Sequence, residues 1–308
     1  MLGAVDIGGT KIAVGLVHEG IVARREELPV LVELGFECAM QRVESVLRRQ
    51  ISETGSNLEG IGIGCTGPVD PISGQLLDVN TLPGWSGSNP VLSLSSRFGV
   101  TAAMENDADA AALGEACWGA GKDTDRFLCI TLGTGIGGGI ILNGEIYRGA
   151  GGSHPELGHH ILDPSGPLCT CGAYGCWEAM ASGPALEALA RQVAPQRADA
   201  LSAADICSLA REGTPWAGEV VGRIATLFGR GLANMITAFM PDRIALGGSV
   251  MKSADLFLKP IHEAINMNCR LVPFEKCEIV CVQLRADAGL IGAAQVWRQR
   301  FRPRKVLV

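Results

Sequence analysis

Four side chains in the second half of the sequence have the types and spacing of a metal site. They form the pattern H-x9-C-x-C-x4-C and are His159, Cys169, Cys171 and Cys176. One imidazole and three thiolates fill a tetrahedral shell around Zn²⁺ and leave no position for water, so the predicted zinc is structural. Gly172 and Gly175 allow tight turns between the ligands. The residues alone leave two alternatives open: three unrelated free thiols, or His154 or His160 as the histidine ligand.

Two glycine-rich turns have the composition of phosphate-binding loops. They are Gly8-Gly9-Thr10-Lys11 and Gly133-Thr134-Gly135, and each offers converging backbone N–H groups and a threonine hydroxyl. Asp6, which ends the apolar segment before the first turn, is predicted to hold Mg²⁺ through water. A third glycine turn, at Gly248, is predicted to pass against an adenosine ring, with a plain strand-to-helix turn as the alternative. Ordinary tight turns are the alternative for each one taken alone.

Two other nucleotide-binding motifs fit less well. The first turn is not a P-loop, because Lys11 follows the threonine instead of preceding it. Gly133, Gly135 and Gly138 spell G-x-G-x-x-G, with Glu156 about twenty residues further on, as in dinucleotide-binding proteins. That fingerprint must open a helix, whereas this segment is predicted to open a hairpin, so a nicotinamide oxidoreductase is disfavoured.

Three acidic residues are candidates for chemistry on a hydroxyl group. Asp107 follows a predicted strand and begins a predicted helix, which suits a general base for phosphoryl transfer to an alcohol. Its alternative role is a helix N-cap, which contributes about 1 kcal/mol. Glu156 and Glu178 flank the proposed zinc ligands and are suited to bind vicinal sugar hydroxyls; surface glutamates are the alternative.

These residues lie on a chain in which strands alternate with helices, which indicates an α/β fold. The first glycine turn and its following hairpin recur about 125 residues later, ending at Asn143-Gly144, a strong hairpin signal. The repeat predicts two similar domains. Helices are predicted at 36–54, 106–118, 184–193, 203–211, 219–240 and 288–300. Strands are predicted at 12–17, 60–64, 100–104, 242–246 and 277–282, with strand, loop, strand over 127–142.

Composition limits the partners and the location. The net charge of −6 opposes nucleic-acid binding, including binding by a zinc ribbon, which needs basic surface. The uncharged run at 127–142 has sixteen residues, fewer than the roughly 20 that span a bilayer, so no membrane partner is predicted. No signal-peptide pattern precedes Asp6, and a cytoplasmic location is expected. The eight cysteines outside the proposed metal site are predicted to be small core residues.

The chain resembles the ROK family of sugar kinases and repressors over nearly its whole length. The matching segments are Asp6-Ile7-Gly8-Gly9-Thr10-Lys11, Glu105-Asn106-Asp107-Ala108, Leu132-Gly133-Thr134-Gly135-Ile136-Gly137-Gly138-Gly139, Pro155-Glu156-Leu157-Gly158-His159 and Cys169-Thr170-Cys171-Gly172-Ala173-Tyr174-Gly175-Cys176-Trp177-Glu178. The repressors carry an N-terminal DNA-binding domain, for which residues 1–5 leave no room, so a kinase is expected.

The resemblance implies an actin-like ATPase (ribonuclease H-like) fold, with ATP and sugar in a central cleft between two domains. Residues 1–118 are expected to form the smaller domain, completed by 288–308, and residues 119–287 the larger one with the zinc site. Homodimers or homotetramers are expected. By position, Asp107 is the catalytic base, and Thr10, Thr134 and Gly135 face the phosphates. The residues expected to bind the sugar are Gly67, Asn106, Asp107, Glu156, His159 and Glu178.

The sugar itself is left open by the resemblance. Ser153-His154-Pro155 before Glu156 looks like fructokinase-type members, whereas the C-x-C-G-x-x-G-C segment looks like glucokinases. Glucose, phosphorylated to glucose 6-phosphate, is favoured over fructose, N-acetylmannosamine and N-acetylglucosamine. A sugar sensor that binds without catalysis is a further alternative.

Overall fold

The computed structural model describes residues 1–302, and these divide into two compact units. Within the described residues, the first unit comprises Met1–Asp125, Gly139–Pro155 and 283–302; the second comprises Arg126–Gly138 and Glu156–Val282. The chain therefore passes from one unit to the other at four places. The predicted domain boundaries at 118 and 287 stay a prediction, because a grouping by contacts does not show which segments fold independently. Residues 303–308, which were also predicted to complete the smaller domain, lie outside the described residues.

The first unit is built on a five-stranded sheet of order β3-β2-β1-β4-β7. The strands of this part of the chain are β1 (Leu2–Ile7), β2 (Lys11–His18), β3 (Ile21–Pro29), β4 (Gly60–Cys65), β5 (Val69–Asp70), β6 (Gln75–Leu76) and β7 (Thr101–Asn106). Its α-helices are α1 (Gly35–Thr54), α2 (Pro90–Phe98), α3 (Asp107–Trp118) and the last helix of the chain, α10 (Ala288–Phe301). Strands β1, β4 and β7 are parallel, so their carboxyl ends meet at one edge.

Alternation along β4 explains how helices approach this sheet so closely. Ile61 and Ile63 point into the apolar core that α1 and α2 cover. Gly60, Gly62 and Gly64 point to the opposite face, where α3 and α10 pack. A Cβ at Gly62 would lie 1.7 Å from the carbonyl oxygen of Ala293 in α10. Glycine is therefore required there, and the same face of the sheet carries Asp6.

The second unit contains most of a second five-stranded sheet, of order β10-β9-β8-β11-β12. Its strands are β8 (Arg126–Leu132), β9 (Ile136–Leu142), β10 (Glu145–Ile146), β11 (Arg243–Gly247) and β12 (Glu278–Cys281). Its α-helices are α4 (Trp177–Ala181), α5 (Gly183–Val193), α6 (Pro195–Ala198), α7 (Ala203–Arg211), α8 (Pro215–Phe239) and α9 (Ala254–Asn268). Six short 3-10 helices complete the described chain: Val32–Leu34, Ala150–Gly152, Leu157–His159, Val250–Ser253, Phe274–Lys276 and Arg285–Asp287.

The internal repeat is confirmed by the topology, because both sheets have the same strand order. Each also has a two-residue hairpin turn with two left-handed residues, as type I′ turns require. These are Glu19 and Gly20 (φ 47° and 78°) between β2 and β3, and Asn143 and Gly144 (φ 53° and 79°) between β9 and β10.

Most predicted elements agree with the structure within a few residues, and the differences have local causes. Helix α8 starts at Pro215, four residues before the predicted start, because Thr214-Pro215 supplies a proline at the first helical turn. Helices α2 and α9 were not predicted. The prediction that all eight remaining cysteines are core residues was wrong for Cys281, which is exposed at the end of the edge strand β12, and Cys38 and Cys117 are only half-buried. Within residues 1–302, no helix has the length and apolar character to cross a membrane.

Candidate active site

The carboxyl edge of the first sheet brings two aspartates together. Asp6 in β1 is in register with Gly64 in β4, and Gly64 is in register with Glu105, two residues before Asp107. A Cβ on Gly64 would lie 3.6 Å from Asp6 Oδ1 and 3.6 Å from the Cα of Asp107. The missing side chain at Gly64 thus leaves the space in which Asp6 and the start of α3 approach each other.

Both aspartates hold their protons more tightly than an exposed carboxyl group would. Burial, and then the negative charge of Asp107, raise the pKa of Asp6 to about 6. Burial also raises the pKa of Asp107, against the hydrogen bond that its carboxylate accepts from the Ala108 N–H. Two carboxylates that lack enough positive charge around them are suited to hold a cation or to accept a proton.

Asn106 is the N-cap of α3, so the alternative interpretation of Asp107 as that cap was wrong. The Asn106 Oδ1 accepts the N–H of Ala108 at 2.9 Å and that of Asp109 at 3.3 Å. Gly67, predicted to lie near the sugar, packs on the same side chain: a Cβ there would be 2.9 Å from Asn106 Nδ2. Gly67, Asn106 and Asp107 therefore form one cluster, as their predicted shared role requires.

The first glycine turn joins β1 to β2 beside these residues. The Gly8 N–H donates to the Lys11 carbonyl at 2.9 Å, which closes the turn. Gly9 packs against Thr81, and Thr10 is exposed. The Lys11 ammonium lies 3.0 Å from Glu27 Oε1 on the surface. A contact of Lys11 with a phosphate stays a prediction.

In the second unit, the other two glycine turns lie side by side. Gly133 closes its turn by donating to the Gly135 carbonyl at 2.9 Å, and its own carbonyl accepts the N–H of Gly183 at 2.8 Å. A Cβ on Gly248 would lie 2.3 Å from the Leu132 carbonyl oxygen, where φ is +92°. The Gly133-Thr134-Gly135 turn leads into β9 and not into a helix, which removes the dinucleotide-binding interpretation.

The peptide groups of Ile136, the first residue of β9, fix the two predicted sugar-binding segments of this unit. The Ile136 N–H donates to Glu178 Oε2 at 2.9 Å. Its carbonyl oxygen lies against the 3-10 helix Leu157–His159, where a Cβ on Gly158 would be only 2.0 Å away. Glu178 also lies next to Gly135, whose Cβ would meet Glu178 Oε2 at 2.4 Å. Exposed Glu156 directly precedes the 3-10 helix.

The four predicted metal ligands converge. Their ligand atoms all lie within 4.8 Å of one another. Cys169 Sγ is 3.4 Å from His159 Nδ1, and Cys171 Sγ is 3.5 Å from Cys176 Sγ. Ligands at zinc distances from a common tetrahedral centre are about 3.5 to 3.8 Å apart. The residues present therefore fit Zn²⁺ in both chemistry and spacing.

Contacts of the neighbouring histidines and of Gly175 agree with His159 as the histidine of the cluster. His160 Nδ1 contacts the Leu157 carbonyl oxygen at 2.7 Å, and His154 Nδ1 contacts Asp109 Oδ2 at 2.7 Å. His159 alone of the three belongs to the cluster. Gly175 (φ +71°) has no room for a side chain, since its Cβ would be 1.5 Å from the Asp163 carbonyl oxygen. The Ala173 N–H lowers the pKa of Cys171, which favours the thiolate that binds a metal.

Sequence reasoning missed two features of this region. Trp177, between Cys176 and Glu178, is fully buried and stacks on Phe228 with ring centroids 5.0 Å apart. Gly231 accommodates its indole ring, so α8 anchors the residue that separates a predicted metal ligand from a predicted sugar ligand. The signal available in the sequence was a large aromatic residue directly after a cysteine of the predicted metal site. The second feature, the Asp109–His154 pair, had no local signal, because 45 residues separate its members.

The strand order of both sheets and their glycine turns define an actin-like ATPase fold, and comparison with known proteins identifies the family. A family model described as "ROK family" matches residues 2–300. The chain therefore belongs to the ROK family.

Individual relatives cover almost all of the chain. A glucokinase from Thermotoga maritima is 33% identical over 96% of this chain and 97% of its own length. An N-acetylmannosamine kinase from Haemophilus influenzae is 29% identical over 94% of this chain and 93% of its own length. The crystal structure of a ROK family glucokinase from Streptomyces griseus in complex with glucose and AMPPNP is 33% identical, has a TM-score of 0.77, and matches over 97% of this chain and 99% of that one.

Proposed function

We propose that this protein transfers the γ-phosphoryl group of ATP to a hydroxyl of glucose, forming glucose 6-phosphate, with Asp107 as the general base. The observation that carries the proposal is the position of Asp107: first residue of α3, beside Asp6, with a raised pKa and with Asn106 serving as the cap in its place. The relatives whose names include glucokinase support the activity and the sugar.

The chain's own residues account for the steps as follows. Asp107 accepts the proton of the attacking hydroxyl, so that its oxygen bonds to the γ-phosphorus while the bond from that phosphorus to the β–γ bridging oxygen breaks and ADP leaves. Gly67 and Asn106 bind the sugar together with Asp107, and Glu156, His159 and Glu178 hold its other hydroxyls. Phosphate oxygens are bound by the residues of the glycine turns, namely Gly8, Gly9, Thr10, Lys11, Thr134 and Gly135, and Gly248 lies against the adenosine.

Two metal ions complete the proposal. Asp6 would hold Mg²⁺, which would neutralise charge on the phosphates. Zn²⁺ would be held by His159, Cys169, Cys171 and Cys176 and would stiffen the segments that carry Glu156 and Glu178.

The sugar is decided by a substrate panel. ADP release is measured with glucose, fructose, N-acetylmannosamine and N-acetylglucosamine, each over a range of concentrations. We expect the largest kcat/KM for glucose. Preference for N-acetylmannosamine, for which the Haemophilus relative is named, would replace glucose in the proposal. Stabilisation of the protein by a sugar without ADP release would indicate a sensor instead.

The assembly and location expected from the sequence remain proposals. Light scattering on the purified protein distinguishes the homodimer and homotetramer from a monomer. Cell fractionation tests the cytoplasmic location.

We expect the reaction to slow at acidic pH because of the Asp6 carboxyl group. Since its pKa is raised to about 6, protons and Mg²⁺ compete for the same carboxylate near that pH. We expect kcat/KM for ATP to fall as the pH drops through this range, and the fall to begin at lower pH when the Mg²⁺ concentration is raised. Rate profiles from roughly pH 5 to pH 8, which extend to both sides of the raised pKa of Asp6, measure this at two magnesium concentrations. If kcat/KM for ATP fell at the same pH at both magnesium concentrations, the role of Asp6 would be contradicted.

The same carboxyl group should make the metal-free protein less stable at neutral pH. Its folded-state pKa of about 6 lies above the ordinary value of an aspartate, so its stabilising contribution is complete at low pH and is lost as the pH rises through the folded value. Asp6→Asn is therefore expected to raise the unfolding temperature of the metal-free protein at neutral pH while abolishing phosphorylation. Thermal unfolding at acidic and neutral pH measures the difference; a variant that is less stable than wild type at neutral pH would contradict the assignment.

Gly158→Ala is expected to weaken sugar binding. The new methyl group would lie 2.0 Å from the Ile136 carbonyl oxygen and displace the 3-10 helix between Glu156 and His159. Overpacking of this kind costs about 1 to 3 kcal/mol, so the glucose KM should rise about 5- to 100-fold. Gly222→Ala in α8 is the matched control, because a Cβ there meets no atom within 4 Å. Equal glucose KM values for the two variants would contradict the account.

A further inference from the structure

A buried carboxylate–imidazole contact links the first turn of α3 to the chain just before Glu156. The Asp109 side chain is 1% exposed, and its Oδ2 lies 2.7 Å from Nδ1 of His154, whose side chain is 15% exposed. Asp109 Oδ1 is buried and has no hydrogen-bond partner within the described chain. His154 is therefore the main compensation for a carboxylate that lies among the alanines of α3.

Such a carboxylate is costly for the fold. Removal of a carboxylate from water costs several kcal/mol, and an ion pair often recovers no more than that. Position 109 could be filled by an apolar residue in an alanine-rich helix at no such cost. The presence of an acidic residue at this buried position therefore points to a role other than stability.

The pair lies at a place where the chain changes units. The chain leaves the first unit between Pro155 and Glu156, directly after His154. Two other such places are also fixed to α3. A Cβ on Gly139 would lie 2.5 Å from Ala112 Cβ, and Glu115 accepts the N–H of Leu284 at 2.8 Å. On the side of the first unit, α3 is thus the common anchor of three of the four passages.

Each member of the pair lies close in sequence to a predicted active-site residue. Asp109 is two residues after Asp107, and His154 is two residues before Glu156. A shift of His154 relative to Asp109 would pass directly into the segment that carries Glu156, because Pro155 restricts the intervening backbone.

We propose that Asp109 and His154 are positioning residues for the kinase reaction, which fix the start of the Glu156-bearing segment to the helix that carries Asp107. The proposal rests on the proposed function, since it assigns the pair to the same reaction. Neither residue touches the substrate in this account. The pair acts on the placement of Glu156 relative to the sugar, so its loss should appear in the sugar KM more than in the ATP KM.

The test uses Asp109→Asn, which keeps the size of the side chain and removes its charge. We expect the glucose KM to rise about 10-fold, as for the loss of one hydrogen bond to a charged group, with a smaller change in the ATP KM. His154→Gln is the second variant if Asp109→Asn folds poorly. Glu115→Gln is the matched control, because its carboxylate is equally buried on α3 but accepts hydrogen bonds from the Ala120 and Leu284 N–H groups and not from the chain just before Glu156; it is expected to lose stability with an unchanged glucose KM.

A double-mutant cycle separates positioning from general damage. In a Glu156→Gln background, Asp109→Asn should have little further effect on the glucose KM, because the group that it positions is already impaired. Independent, multiplying effects would overturn the proposal, as would a glucose KM in Asp109→Asn that matches that of wild type. If wild-type protein phosphorylates no sugar, the proposed function fails. If wild type is active and the cycle shows no coupling, only the positioning role fails.

Discussion

Asp107→Asn is expected to lower kcat for glucose phosphorylation by about 10²- to 10⁴-fold, the usual contribution of a general base. The amide has the shape of the carboxylate but cannot accept the hydroxyl proton. The ATP KM should change little, because Asn106 caps α3 independently and the helix start is preserved. Since burial raises the pKa of Asp107, replacement by a neutral side chain should also leave the fold at least as stable at neutral pH.

The control for this variant is an aspartate in a similar place on another helix. Asp255 lies in the first turn of α9 and forms an exposed ion pair with Arg211. Asp255→Asn should keep the wild-type kcat. Steady-state ADP release measures kcat, and circular dichroism confirms that each variant is folded. A kcat for Asp107→Asn close to that of wild type would exclude Asp107 as the base.

Loss of the zinc site is expected to produce the second large effect. Cys171→Ser should lower the zinc content from about one ion per chain and raise the glucose KM about 10- to 100-fold, the cost of one or more lost hydrogen bonds to a charged group. The reason is structural: His159 ends the 3-10 helix that follows Glu156, and Cys176 is two residues before Glu178. Without the metal, the two carboxylates lose their common support, while the ATP KM should change much less.

The control for the zinc prediction is a variant of a cysteine outside the cluster. Cys281 is also exposed but lies outside the cluster, so Cys281→Ser should keep both the zinc and the glucose KM of wild type. Zinc is measured by atomic emission on the purified protein and after treatment with a chelator. Full sugar affinity in a zinc-free protein would contradict the role of the cluster.

Local sequence patterns predicted the parts of the fold and site that depend on neighbouring residues. The glycine turns, the Asn-Gly hairpin and the cysteine spacing each constrain a few residues by backbone geometry, and the structure contains all three. The period of two in β4 was read as a buried strand, which was confirmed. The glycines at alternate positions of β4 also leave space for α3 and α10 to pack closely. This could not be predicted, because those helices lie elsewhere in the sequence.

Contacts over long sequence separations could not be predicted in this way. The Asp109–His154 pair joins residues from two distant segments, and either residue alone looks like an ordinary surface group. The rise in the pKa of Asp6 likewise depends on Asp107, a residue 101 positions away that the sheet register brings near. Helix α2 was missed because it spans only Pro90–Phe98 and carries three serines, which weaken the helical signal.

The central claim is that Asp107 allows a sugar hydroxyl to take the γ-phosphoryl group of ATP. Phosphorus NMR of a mixture of protein, MgATP and glucose tests it most directly. The account predicts that glucose 6-phosphate and ADP form in equal amounts with wild type, and that this signal is lost with Asp107→Asn. Formation of inorganic phosphate in place of a sugar phosphate, or equal product formation by the two proteins, would contradict the account.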